Sequence, residues 1–152
     1  MMIHNWSQLR PLSKLDQLAE VIIKTAFLLS DNHHVITTYA EHKGANFRVK
    51  NRVGEQEFDV LCRQINIDKT TYTYISKSHL EQGIRDDLYI GLVIFIDGQK
   101  PYKYLIPSTI WKTPNMLFTD TALKHSEYGI NINKKTFPEL AKYAFEEQLT
   151  SL

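Results

Sequence analysis

Apolar residues return at helical spacing near both ends of the chain. Between residues 13 and 30 they occupy Leu15, Leu18, Ala19, Ile22, Ala26 and Leu29. This spacing predicts a helix of about five turns with one broad buried face, and Ser13 followed by Asp16 is typical of a helix N-terminus. Near the other end, Thr136-Phe137-Pro138-Glu139 has the form of a capping box and predicts a closing helix.

Between these helices, several segments have the alternating pattern of strands. β-Branched and aromatic residues around Val35 and Phe47 predict two strands. A tight turn at residues 53–55 leads into a strand at residues 57–64, which completes a hairpin and places Asp59 and Cys62 on opposite faces. The continuous apolar run at residues 88–96 predicts a central strand that is covered on both faces.

Weaker patterns complete the prediction. Residues 71–76 and 102–106 suit strands, residues 108–112 suit a short helix, and residues 127–132 suit either a strand or an extended segment. A helix, then strands, then a closing helix indicate an α/β (α+β) fold, in which a mixed central β-sheet is flanked by an N-terminal and a C-terminal helix. No repeat or linker divides the sequence, so residues 1–152 are predicted to form a single domain.

Composition and charge narrow the class of protein. The chain has 152 residues, 43% of them hydrophobic, with 18 Lys and Arg against 17 Asp and Glu. The net charge of +1 excludes the strongly basic composition of a histone-like DNA-binding protein, but it is compatible with a local basic patch. The longest apolar run is about half of a membrane span, so no membrane insertion is expected. A single cysteine and the lack of a leader-like N-terminus predict a cytoplasmic protein.

A basic segment is the first candidate for ligand binding. Lys43, Arg48, Lys50 and Arg52 fall within ten residues that contain no acid. On a strand, Arg48, Lys50 and Arg52 would share one face at a spacing of about 6.6 Å, close to the ~7 Å between phosphates along one nucleic-acid strand. The pattern therefore predicts contacts with the phosphates of DNA or RNA. The alternative is a solvated strand face whose charges prevent aggregation.

Carboxylates are the second candidate, as ligands for Mg²⁺. Glu20 in the first helix and Asp59 in the hairpin are the two acids expected to converge on a metal ion. Alternatively, Glu20 pairs with Lys24 one helical turn later, and Asp86-Asp87 forms only a polar turn. An acid at position 59, between two apolar residues of a strand, is unfavourable unless its surroundings are wet or functional.

Three segments resemble small uncharacterised bacterial proteins of the PD-(D/E)XK nuclease-like superfamily. They are residues 59–69, residues 104–108 with Trp111, and residues 127–131. The superfamily's fold begins with a helix that carries an acid, as Glu20 does here. A hairpin follows, whose first strand supplies an Asp and whose second supplies an acid-x-Lys or Gln-x-Lys pair, and then a buried strand and a helix. The resemblance therefore implies a restriction-endonuclease-like fold over most of residues 13–145.

The motif positions implied by this resemblance carry altered residues. Gly44-Ala45-Asn46 places Asn46 where the metal-binding Asp belongs, and Val60-Leu61-Cys62 places Cys62 where the Lys belongs. A register shifted by one residue, Asp59-Val60-Leu61, keeps the acid but still lacks the Lys. An amide binds a divalent cation less strongly than a carboxylate does, and a thiol supplies no ammonium group.

Two hypotheses follow. The first is a degenerate nuclease-like domain, with motif positions Glu20, Asn46, Asp59 and Cys62, that binds nucleic acid or a partner without efficient cleavage. The second is a divergent Mg²⁺-dependent nuclease in which Lys50 or Lys77 replaces the missing lysine, with Glu20 and Asp59 as metal ligands. Mg²⁺ is expected as a cofactor only under the second hypothesis. A homo-oligomer is compatible with both.

Overall fold

The strands of the protein form two sheets. The structure, a computed structural model, describes residues 5–11, 13–39, 44–80, 82–121 and 126–152. Its α-helices and strands are α1 (Lys14–Leu28), β1 (His33–Thr38), β2 (Phe47–Asn51), β3 (Glu57–Asn66), β4 (Tyr72–Ser76), β5 (Leu88–Phe95), β6 (Tyr102–Pro107), β7 (Phe118–Thr121), β8 (Glu127–Asn131) and α2 (Phe145–Leu149). Short 3-10 helices lie at Trp6–Gln8, Lys77–His79, Ser108–Lys112 and Phe137–Tyr143.

The larger sheet is mixed and the smaller one is antiparallel. The larger sheet has the order β1-β2-β3-β5-β6, in which only the neighbours β3 and β5 run parallel. The smaller sheet has the order β4-β8-β7. The predicted α/β fold with a mixed sheet is therefore confirmed, as is the β2–β3 hairpin.

Strand β5 is the centre of the packing. Leu92, Val93 and Phe95 are each 0% exposed, as the uninterrupted apolar run predicted. Leu92 belongs to the hydrophobic cluster on one face of the larger sheet, whereas Val93 and Phe95 belong to the cluster on the other face. A strand with apolar side chains on both faces is stable only when both faces are covered.

Helix α1 covers one of these faces. Its buried positions repeat every four residues, at Leu15, Ala19, Ile23 and Phe27. Gly91 lets the helix approach β5, because a Cβ atom at this position would lie 2.9 Å from Ile23 Cγ2. The helix is shorter than the predicted five turns, since it ends at Leu28 and Leu29 is 79% exposed. Ser13 has helical backbone angles and makes no side-chain cap.

The smaller sheet covers the opposite face, where a closing helix was expected. Its inward residues Ile75, Phe118 and Ile130 pack in one cluster with Leu61 and Ile65 of β3. The sequence predicted β4 and allowed β8, but β7 was missed because its four residues contain a single apolar side chain. The smaller sheet therefore replaces the C-terminal helix as the cover of this face.

The prediction of one continuous helix from Thr136 was wrong. A 3-10 helix is followed by Ala144, which is extended and forms an isolated antiparallel bridge with Tyr104 of β6. This break has a physical reason: Leu140 belongs to the cluster beneath the smaller sheet, whereas Phe145 packs against Phe27 in the cluster beneath α1. A straight helix on one face of the sheet would not reach both clusters. No helix among the described residues is long and apolar enough to cross a bilayer.

We predict that Phe95→Ala lowers the free energy of unfolding by ~3–5 kcal/mol, because it removes a fully buried ring from the centre of the sheet. The ring of Phe95 also lies 5.0 Å from that of Trp6, measured between centroids. Tyr102→Ala is the control, since Tyr102 is 44% exposed and its loss leaves both clusters intact. Equal thermal midpoints for Phe95→Ala and wild type would contradict the central position of β5.

Candidate functional site

A polar cleft lies between α1, β3 and β4. Its volume is about 960 Å³, which is in the range of small-ligand and peptide sites. It is lined by Asp16, Gln17, Glu20, Asn46, Leu61, Cys62, Arg63, Thr73, Tyr74, Ser76, Ser78 and His79. One wall is the polar side of α1, and the opposite wall is β4 with the 3-10 helix that follows it. Three of the four nuclease-motif positions predicted from the sequence line this cleft.

Glu20, Asn46 and Cys62 are brought into direct contact. Asn46 precedes β2, and its main-chain N–H donates to Val60 O at 2.8 Å, which fixes it beside β3. The Asn46 side chain then donates from Nδ2 to Glu20 Oε1 at 2.6 Å, and its Oδ1 accepts the Cys62 main-chain N–H at 2.8 Å. Both ends of the amide are therefore engaged, and the amide oxygen faces the main chain of β3.

The thiol of Cys62 is held in its protonated form. Cys62 is a buried free cysteine. Burial, and after it the negative charge of Glu20, raise the pKa of the thiol well above its ordinary value. A thiolate, and not a thiol, is the reactive nucleophile and metal ligand. Cys62 therefore acts as a small packed side chain on the floor of the cleft.

Asp59 lies in a different cluster, on the opposite face of β3 from Cys62. It is 7% exposed, and its carboxylate is bound by Arg85 Nη2 at 2.6 Å and by Arg48 Nη1 at 3.1 Å. The hydroxyl of Tyr39 donates to the same carboxylate at 2.8 Å. The strand therefore tolerates an acid at this position because two arginines and a tyrosine satisfy it, which meets the requirement for a buried charge.

Arg48 belongs to the Asp59 cluster and not to a free basic surface. Besides Asp59, it pairs with Glu57 at 3.0 Å and with Asp87 at 3.7 Å. Asp87 also pairs with Arg85 at 3.0 Å, so the residue is part of this network and does not serve only as a polar turn. The positive charge of Arg48 is therefore balanced within the protein.

The other basic residues that the structure describes lie outside the Asp59 cluster, to which Arg48 belongs. Lys50 lies on β2 and is half-buried, and Arg52 is exposed in the turn that follows β2. Arg52 Nε contacts His34 Nδ1 at 3.4 Å. Lys43 lies outside the described residues. The structure therefore describes three of the four residues that were predicted to contact phosphates. Two of these three, Lys50 and Arg52, lie outside the Asp59 network.

The described residues do not fit the Mg²⁺ site that the resemblance implies. Glu20 and Asp59 face different sides of β3, and no group of three or more His, Cys, Asp or Glu residues in the described ranges is placed to hold a metal ion. Glu20 is accompanied by an amide and a protonated thiol, whereas Mg²⁺ prefers carboxylate oxygens and water. The alternative offered by the sequence was a pair between Glu20 and Lys24. In the structure, Lys24 Nζ donates to Thr38 Oγ1 at 2.6 Å, and Glu20 accepts its hydrogen bond from Asn46.

The cleft contains residues that sequence reasoning did not select. Arg63 Nε donates to Tyr74 O at 3.1 Å and Arg63 Nη1 donates to Cys62 O at 2.9 Å, so one guanidinium joins β3 to β4. Asp16 accepts a hydrogen bond from Gln64 Nε2 at 3.2 Å. The sequence assigned Asp16 only to the helix N-terminus, and it gave no signal for Arg63, because its role depends on a second sheet that was not predicted.

Comparisons of the chain with models of protein families, with curated proteins and with solved structures found no match. The function is therefore inferred from the geometry and chemistry of the cleft.

We predict that Asp59→Ala lowers the free energy of unfolding by about 2–3 kcal/mol, because Arg48 and Arg85 then lose the carboxylate that neutralises them in a largely desolvated place. Asp87→Ala, at a side chain that is 46% exposed, should cost markedly less. Chemical denaturation of both variants measures the difference. If the two variants lose the same stability, Asp59 is not the centre of the network.

A second prediction concerns the Cys62 thiol. Alkylation by iodoacetamide at about pH 9 should be much slower in the folded protein than in denaturant, because the raised pKa leaves little thiolate. Glu20→Gln removes a nearby negative charge and should shift the pH–rate profile of alkylation to lower pH. Asp16→Asn, which removes a charge from the preceding helical turn, is the control. A profile that moves with Asp16→Asn but not with Glu20→Gln would contradict the electrostatic effect of Glu20 on the Cys62 thiol.

Proposed function

We propose that the chain is a degenerate nuclease-like domain that binds a ligand in the cleft and does not cleave it efficiently. The observation that carries this proposal is the contact of Glu20, Asn46 and Cys62 across α1, the start of β2 and β3. The order of helix, hairpin and buried strand matches the first part of the layout that the PD-(D/E)XK resemblance implies, although strand β6 follows where that layout has a helix. The three residues are those that the resemblance assigns to motif positions. A restriction-endonuclease-like fold is part of the proposal.

The chemistry of the three residues supports binding without cleavage. Hydrolysis of a phosphodiester by this type of site needs a metal held by carboxylates and a cation beside the scissile phosphate. Here Glu20 is the single carboxylate of the three, and it already accepts a hydrogen bond from Asn46. Cys62 is neutral, and Lys77, one of the two lysines considered as substitutes, is paired with Asp120 at 2.5 Å on the smaller sheet.

The charges of the cleft favour a protein partner over a nucleic acid. Asp16 and Glu20 line the α1 wall, where like charges would oppose a phosphate backbone, and the guanidinium of Arg63 in the same cleft is already bonded to Tyr74 O and Cys62 O. Arg48, the centre of the predicted basic strand face, is neutralised by Asp59, Glu57 and Asp87. Binding of DNA or RNA is a second candidate function, and the observation that favours it is Arg52, which is exposed beside the half-buried Lys50.

The proposal predicts that Asn46→Asp creates a binding site for Mg²⁺, because it places a second carboxylate at hydrogen-bond distance from Glu20. The variant should be less stable than wild type without metal, since two carboxylates repel each other. Its thermal midpoint should rise by about 3–5 °C at a Mg²⁺ concentration ten times the dissociation constant. Wild type should show no such rise. Asn32→Asp, which adds the same charge at an exposed position, is the matched control.

Cleavage is tested in the same series. Wild type should leave plasmid DNA, single-stranded DNA and RNA intact in Mg²⁺ or Mn²⁺. Saturable metal binding by wild type, with cleavage that disappears in Glu20→Gln, would instead establish the divergent nuclease and overturn the proposal. A folded Asn46→Asp variant without any gain in Mg²⁺ affinity would remove Asn46 from the motif position.

A further inference from the structure

Strand β4 presents an unpaired edge to the cleft. Among the described strands it is the outermost of the smaller sheet and pairs with β8 alone. Two main-chain hydrogen bonds, from Ile132 N to Thr71 O and from Lys77 N to Ser126 O, lie just beyond the two ends of the pairing between β4 and β8. Because hydrogen-bonded positions alternate in an antiparallel pair, Thr73 and Ile75 face β8 with their main-chain groups. The main-chain groups of Tyr74 and Ser76 therefore point away from β8.

The opposite side of the cleft is also a strand edge. Strand β2 pairs with β3 only as far as Val60, so no described strand pairs with the second half of β3 on that side. Side chains satisfy part of this edge: Asn46 Oδ1 accepts from Cys62 N, and Arg63 Nη1 donates to Cys62 O. Arg63 also donates to Tyr74 O. On β4, this leaves the Tyr74 N–H and both main-chain groups of Ser76 directed toward the cleft.

The two outer strands of the larger sheet are protected, in contrast to β4. Strand β1 carries an irregularity between Val35 and Thr37, and β6 is covered by the bridge from Ala144 to Tyr104. Bulges and covering segments are common ways to prevent pairing with another chain. Among the described residues, the edge of β4 carries no bulge or covering strand, and the outward main-chain groups of Tyr74 and Ser76 are bonded only at Tyr74 O, by Arg63. An edge that opens into a 960 Å³ polar cleft in this way is suited to accept a strand.

The charge of the cleft indicates which side chains a strand added to β4 would carry. Asp16 and Glu20 lie one helical turn apart on the wall that faces β4. The described lining holds one guanidinium, that of Arg63, which is already bonded to Tyr74 O and Cys62 O, so the two carboxylates favour a ligand that brings donors and positive charge.

We infer that the cleft binds an extended basic segment of a partner protein, which adds to β4 at Tyr74 and Ser76 and directs Lys or Arg side chains to Asp16 and Glu20. The inference rests on the proposed function, since it names the partner of the same cleft. Main-chain hydrogen bonds to β4 supply affinity for any extended segment, and the two carboxylates select basic side chains.

The edge of β4 is tested with Ser76→Pro. Ser76 has φ −61°, which proline adopts without strain, and the substitution removes an N–H that β8 does not use. Ser76→Ala is the matched control, because it removes the hydroxyl and keeps the N–H. The probe is a fluorescent pool of blocked octapeptides in which Lys or Arg alternates with mixed residues. The pool should bind wild type and Ser76→Ala alike, and Ser76→Pro about tenfold more weakly.

A second measurement does not depend on the folding of the proline variant. In wild type, the basic pool should slow hydrogen exchange at the amides of Tyr74 and Ser76, while exchange at Thr73 and Ile75, which already pair with β8, should change little. Unchanged exchange at Tyr74 and Ser76 with saturating peptide would overturn the pairing with β4.

The charge selection is tested with Asp16→Asn and Glu20→Gln combined. This variant should bind the basic pool no better than wild type binds a pool with Ser in place of Lys and Arg, and an acidic pool should bind wild type least. Absence of saturable binding by the basic pool, or its displacement by single-stranded DNA or RNA oligomers, would overturn the inference. Neither result would bear on whether the domain cleaves nucleic acid, which the Mg²⁺ experiments decide separately.

Discussion

The structure depends on the need to cover both faces of the mixed sheet. Strand β5 carries apolar side chains on both faces, so neither face can be left in water. Helix α1 covers one face and the smaller sheet covers the other. Because the smaller sheet is held against the larger one by this burial, its outer strand β4 comes to lie opposite α1. The cleft is the space that remains between α1, β3 and β4 where these two covers meet.

The larger sheet could be predicted because its strands have a strong local pattern. The apolar run in β5 correctly indicated burial on both faces, and the turn at residues 53–55 indicated the hairpin. Alternation in β3 indicated a strand, although residues 58–62 are buried on both of its faces. The smaller sheet was harder to predict because its strands are short and only their inward residues are apolar. The break at Ala144 had no local signal, since helical spacing from Phe137 to Phe145 looks the same whether the apolar residues enter one cluster or two.

The candidate site was partly predictable for a related reason. Glu20, Asn46 and Cys62 were grouped by the PD-(D/E)XK resemblance, and Asn46 does bond to both Glu20 and the main chain of Cys62. Asp59 could not be assigned in this way. Its partner Arg85 is distant in the sequence, and the same acid is expected in a strand whether it binds a metal or an arginine. The roles of Arg63 and of the β4 edge could not be predicted from the sequence, because both depend on the contact between the two sheets.

The break at Ala144 affects when the two hydrophobic clusters can be completed during synthesis of the chain. Leu140 and Phe145 enter clusters on opposite sides of the larger sheet, and the main-chain oxygen of Leu152 is held by His33 and Asn51. Both clusters are therefore completed by residues that are synthesised after β8, and the packing of helix α1 is complete only once Phe145 is in place. Until these residues are made, each of the two clusters lacks one of its buried side chains, so neither face of the larger sheet has its full cover.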